Sequence, residues 1–193
     1  MVTLQASKRD PQTKAKKLRR EGFVTGVLYG RDMKETMPLQ FVEADAMRFI
    51  KSNKEGTQVL LNIGGEQTNA LVKNVDFDPL KKQINALDFQ ALVAGEVVSA
   101  SVQIIFENTE GVQGIVEQEL SEIHYKADPA NLLDTVVIDF SKLPQETRDF
   151  YVKDLKLTEG RNIHLTTPED ALIFHIADYA KADEEEAEET AEA

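Results

Sequence analysis

The chain has 193 residues, enough for one large domain or two small ones and for a real core, which excludes a peptide hormone or a bare motif. Its composition, 41% hydrophobic and 29% charged with ten Gly and six Pro, is globular, and the absence of Cys excludes a disulfide framework, a thiolate nucleophile and a Cys-based metal site. A net charge of −12 would steer polyanions away if spread evenly, yet residues 1–94 hold 15 Lys and Arg against 11 Asp and Glu, and residues 95–193 hold 7 against 23.

From the N-terminus, Met-Val-Thr-Leu-Gln-Ala-Ser lacks the apolar stretch of a signal peptide, and no run approaches the ~18 apolar residues that span a bilayer. The expectation is a soluble, cytoplasmic protein with no membrane partner. Residues 2–6 alternate enough for a short strand. Lys8 to Arg20 follows, with seven cations against Asp10 alone, and reads as a loop or irregular segment broken by Pro11. Phe23 to Tyr29 is β-branched and aromatic, a strand entering a turn at Gly30-Arg31-Asp32, and Leu39 to Val42 is a second strand. Ala46, Phe49 and Ile50 have helical spacing within Glu43 to Asn53, with Gly56 as a stop. Gln58–Ile63 and Gln67–Val72 flank Gly64-Gly65, a hairpin signal because both glycines accept positive φ. Val75–Phe77, then Gln83–Phe89 after Asp78-Pro79, continue the pattern. Many short strands at such spacing predict a small β-barrel carrying one or two helices over residues 1–94.

The sign of the charge changes near residues 91–95, and a second unit is expected over 95–178. Its predicted strands are Glu96–Glu107, Ile115–Ala127, Val136–Phe140, Phe150–Leu155 and Ala171–Ile176, separated by Gly, Pro and Asp-Pro turns. The fold class is therefore mainly β: an N-terminal barrel with few helices, then a second β domain. Residues 179–193, acidic and Ala-rich without apolar periodicity, are expected to be a disordered tail.

Catalytic chemistry finds little purchase. His124, His164 and His175 stand 40 and 11 residues apart with no metal-ligand spacing, and no GxSxG or phosphate-loop motif occurs. Gly22, Gly26 and Gly30 recur every fourth residue, but no helix opens after them, so turn and tight-packing roles are expected. Asp76/Asp78 and Glu169/Asp170 lie beside Pro, where turn-forming Asp is ordinary. No enzyme, metal or cofactor is expected. The basic run remains: a solvated face on one reading, on the other a phosphate-neutralising segment beside Tyr29, which could stack on a base or meet a ribose. RNA suits it better than DNA, because no recognition helix is evident.

Lys14-Ala-Lys-Lys-Leu-Arg-Arg-Glu-Gly22 followed by Val27-Leu-Tyr-Gly30 resembles the start of the bacterial large-subunit ribosomal protein L twenty-five, or general stress protein CTC, family. Lys73-Asn-Val-Asp-Phe-Asp-Pro79 and Leu87-Asp-Phe89 are similar to two later stretches of that family. Glu110-Gly-Val, Gly114 to Leu120 and Asp154-Leu-Lys-Leu resemble the extra C-terminal domain of its long members. The resemblance covers about residues 2 to 178. It implies a structural component of the 50S subunit whose N-terminal barrel binds 5S rRNA and which is monomeric off the ribosome. The RNA-facing residues it implies are Arg9, Lys14, Lys16, Lys17, Arg19, Arg20, Tyr29 and Asp88.

Three positions depart from the family pattern. Thr25 stands for Pro, Asp76 for Gln and Ala86 for His, and the last two are positions from which the family meets RNA. Each hydrogen bond to RNA missing there is expected to weaken binding by about 1–3 kcal/mol. The alternative reading is therefore a diverged, stress-related interaction module without stable RNA binding, acting through its acidic half. That half also suits a basic neighbouring ribosomal protein.

Overall fold

A computed structural model describes residues 2–144 and 146–178; the expected acidic tail lies outside the described residues. The described chain forms two units, residues 2–101 with 126–134 and residues 102–125 with 135–178.

The first unit holds β1 (Val2–Lys8), α1 (Ala15–Arg20), β2 (Phe23–Tyr29), β3 (Met37–Val42), α2 (Glu43–Ser52), β4 (Gln58–Ile63), β5 (Glu66–Asp78) and β6 (Gln83–Ala91). Its six strands close into a barrel in the order β1-β3-β2-β6-β5-β4. The pairs β1–β4 and β2–β6 are parallel, the others antiparallel. Alternation decides what points inward: Val24 and Leu28, Leu39 and Phe41, Val59 and Leu61, Leu87 and Phe89 all lie in the core. α2 adds Ala46 and Phe49, whose ring lies 6.5 Å from that of Phe89, while Phe41 meets Phe89 at 5.4 Å. Each large apolar side chain so buried contributes roughly 1.5–3 kcal/mol. The Gly64-Gly65 turn between β4 and β5 has φ of +62° and +100°, as the hairpin reading required.

Three assignments from sequence are corrected. The basic stretch is not irregular throughout: Asp10 to Thr13 make a turn, with Thr13 N–H donating to the Asp10 carbonyl, and α1 follows it. Pro11 sits in that turn, so it does not interrupt a helix of good helix formers. Residues 115–127 are not one strand but two, β8 (Ile115–Gln118) and β9 (Glu122–Ala127), because the Glu119 and Leu120 N–H groups both turn to the Ile173 carbonyl. Beyond β11 (Asp149–Tyr151), residues 152–155 leave the strand for a 3-10 turn in which Asp154 accepts from the Tyr151 N–H.

With β7 (Val98–Glu107), β10 (Val136–Asp139), β12 (Ile163–Leu165) and β13 (Leu172–Ala177), these strands form two sheets, ordered β10-β7-β9-β12 and β11-β13-β8. In the second unit Phe174 is fully buried, with Phe106, Phe140 and Phe150 around it at ring separations of 4.8–5.5 Å. No helix among the described residues is long and apolar enough to cross a membrane.

Candidate nucleic-acid interface

The outward face of β2–β6–β5 gathers the polar residues the sequence singled out. In the registers Thr25↔Ala86↔Asp76 and Val27↔Asp88↔Asn74, side chains alternate with the inward pairs Gly26↔Leu87 and Val75↔Leu87. Gly26 is required by this closeness. A Cβ there would stand 2.0 Å from the Leu87 carbonyl oxygen and 2.9 Å from the Phe41 ring, so the fourth-residue glycine spacing serves packing at this position.

Two β-bulges frame the face, one on each strand of the β5–β6 pair. Lys73 is the extra residue on β5, between the pairs Val72↔Phe89 and Asn74↔Asp88; Asn85 is the extra residue on β6, between Asp76↔Ala86 and Phe77↔Ile84. Polar groups at and beside them are occupied. Glu55 Oε1 accepts from the Val75 N–H at 2.8 Å, and Lys73 Nζ donates to the Ser99 carbonyl at 2.7 Å, which turns that cation away from the face. The Asn85 carbonyl accepts from Arg19 Nη1 and from Thr25 Oγ, both at 3.2 Å.

Side chains across the face pair amide with carboxylate. Asn85 Nδ2 donates to Asp76 at 3.2 Å, and Asn74 Nδ2 to Asp88 at 3.4 Å. Asn74 and Asn85 escape a reading of the sequence because neither fits a motif; only their place opposite carboxylates, set by the bulges, makes them part of the face. Tyr29 stands beside them at the end of β2. Burial first, then the negative charge of Asp88, push its hydroxyl above the ordinary phenol range, so it is a protonated donor at neutral pH.

The basic residues divide into three groups. α1 packs on β2 through buried Leu18, and this aims Arg19 at the face, where it is half-buried against Asn85. Lys14, Lys16, Lys17 and Arg20 are exposed around the same helix, with Lys17 3.8 Å from Glu21. Lys17, Arg19 and Arg20 lie in its last turn, which also suits the helix dipole. Arg9 is half-buried and points into its own loop, where Nη2 donates to the Thr13 carbonyl at 2.7 Å. Among the described residues no cluster of His and carboxylates could hold a metal ion.

The chain is similar to known proteins along nearly its whole length. Residues 4–89 match the Ribosomal L25p family, and residues 97–179 match the C-terminal domain of ribosomal protein TL5. Three relatives carry the name large ribosomal subunit protein bL25. That of Caldanaerobacter subterraneus subsp. tengcongensis is 33% identical over 99% of this chain and 98% of its own length. That of Thermoanaerobacter sp. is 34% identical over 91% of this chain and 89% of its own. That of Bacillus velezensis is 27% identical over 97% and 94%. The two matched segments fall on the barrel with its basic helix and on the β domain that follows it, and the relatives span nearly the whole length: the chain belongs to the Ribosomal L25p family, in its long form with a TL5-type C-terminal domain.

Proposed function

We propose that this chain is a structural, non-catalytic protein of the large ribosomal subunit in the cytoplasm, and that residues 1–94 bind 5S rRNA. The observation that carries the reading is the joining of a cationic helix to a polar sheet face through the Arg19–Asn85 contact. Cations alone neutralise phosphates without selecting among them. Here Lys14, Lys16, Lys17 and Arg20 take phosphates, and Arg19, held at one N–H, offers the rest of its guanidinium fork. Tyr29 donates to the RNA backbone or a ribose. Asp88 accepts from a ribose hydroxyl or a base amino group, donors that nucleic acid presents beside its phosphates. Arg9 stiffens the loop that delivers α1. Residues 95–178, which contain the second unit, are acidic and suit a basic neighbouring ribosomal protein.

The test is binding of the purified chain to 5S rRNA across a range of salt, with a scrambled RNA of equal length as competitor. Selective binding is expected, with log affinity falling linearly in log salt at a slope matching several phosphate contacts. Reversing the charge of Lys17 and Arg20 together, both exposed, should abolish it and leave the circular dichroism spectrum unchanged. Binding without preference over the competitor overturns the proposal. That result would favour the second reading, an interaction module that Asp76 and Ala86 have taken away from RNA.

A further inference from the structure

We propose that Asn85 is a positioning and specificity-determining residue of the RNA-facing surface. On this account its carbonyl fixes Arg19, and its amide makes the Asp76 carboxylate half of a donor–acceptor pair for a ribose 2′-hydroxyl. This rests on the RNA-binding reading above.

Asp76 is a problem on a surface that meets phosphates. A lone carboxylate there repels the ligand and can only accept hydrogen bonds. Its cross-strand partner Ala86 offers no side chain to offset it, and its own strand offers only Asn74 on the same face, which donates to Asp88. The bulge supplies what the regular ladder lacks. Because Asn85 is the extra residue on β6, its side chain stands beside Ala86 on the outer face and reaches Asp76 at 3.2 Å. That bond uses one amide hydrogen and one carboxylate oxygen. The second amide hydrogen of Asn85 and the second carboxylate oxygen of Asp76 remain, so the pair presents a donor and an acceptor together. A hydroxyl that both donates and accepts matches that pair, and the ribose 2′-hydroxyl is the group that distinguishes RNA from DNA.

The same residue sets the neighbouring cation. The Asn85 carbonyl lies on the β2 side of β6, where it accepts from Arg19 and Thr25, while the side chain reaches Asp76 on β5. One residue thus links helix α1, strand β2 and strand β5. Backbone and side chain carry separate duties, which lets a substitution separate them.

The experiment is a double-mutant cycle in the full chain, read as affinity for 5S rRNA with circular dichroism and thermal midpoint as fold controls. Asn85→Ala keeps the carbonyl that holds Arg19 and removes the amide, leaving Asp76 uncompensated; a loss of about tenfold is expected. Asp76→Asn supplies both a donor and an acceptor without charge. Added to Asn85→Ala, it should return affinity to within about threefold of wild type, a coupling that independent sites do not show. Equal effects of Asn85→Ala in both backgrounds, or no effect of it, would overturn the inference. Independently of any variant, the Asn85 side-chain amide signals of labelled wild-type protein should shift when RNA is added; unmoved signals would also overturn it. A wild-type chain that binds no RNA would instead defeat the function proposed above before the cycle is run.

Discussion

Gly26 shows how one side chain of zero size can hold a sheet together. β2 and β6 are paired in parallel, and at Gly26↔Leu87 the Leu87 carbonyl and the Phe41 ring occupy the volume a Cβ would need. The obstacle at 2.0 Å is backbone, which cannot rotate aside. Gly26→Ala must therefore spread the two strands that carry Thr25, Val27, Ala86 and Asp88. A destabilisation of about 3 kcal/mol or more in urea unfolding is expected, at the upper end of overpacking costs. A smaller one would mean that the β2–β6 pairing relaxes freely. The glycine's packing role is legible from sequence, because no helix follows it. Its partner is not, because Leu87 lies 61 residues away and only closure of the barrel brings it near.

Helix α1 illustrates the opposite case, an element hidden from sequence. Its six residues include only one large apolar side chain, Leu18, so there is no periodicity to detect, and an isolated helix this short does not persist in water. It exists because Leu18 is buried and because Arg19 finds a carbonyl on β6, interactions that no local pattern encodes. Similarly, the alternating pattern of residues 115–127 does specify strand, but alternation does not say which sheet a strand joins, and here two sheets share the segment. α1 carries a separable prediction. Lys16 and Arg20 are exposed, while the packing of the helix rests on Leu18, so Lys16→Ala with Arg20→Ala should leave the thermal midpoint unchanged. If both meet phosphates, the salt slope of 5S rRNA binding falls in magnitude by about 1.5, at ~0.7–0.9 per phosphate. An unchanged slope would remove both from the interface.

Across the whole molecule, charge is the property that sequence displays best and structure refines most. The excess of carboxylates in the second half is visible by counting, but which of them support the fold depends on the donors that their turns gather around them. Asp139 accepts from Asn108 Nδ2, from the N–H and hydroxyl of Ser141, and from Lys142 Nζ at 2.7–3.1 Å. Those donors, Ser141 foremost, hold its carboxyl far below the ordinary value of 3.8, and Asp139 in turn raises the Lys142 ammonium. In the barrel, Lys81 first and then Leu80 lower Asp78, which closes the β5–β6 turn. A carboxyl whose folded value is depressed contributes its stability above the unfolded value and loses it as pH falls through the folded one. Both contributions are therefore complete above about pH 3.8 and decay only in stronger acid. At the alkaline end Tyr29 acts with the opposite sign. Its raised value favours the neutral phenol in the fold, so its contribution is present below pH 10 and lost above it. The measurement is carboxyl-carbon NMR of Asp139 and Asp78, together with urea unfolding of wild type and Asp139→Asn from about pH 7 to about pH 2, the span over which a depressed carboxylate gives up its contribution. Both carboxyls should titrate below 3.8, and the variant's deficit at neutral pH should shrink as Asp139 takes up its proton. A deficit independent of pH would assign the role of Asp139 to shape and not to charge.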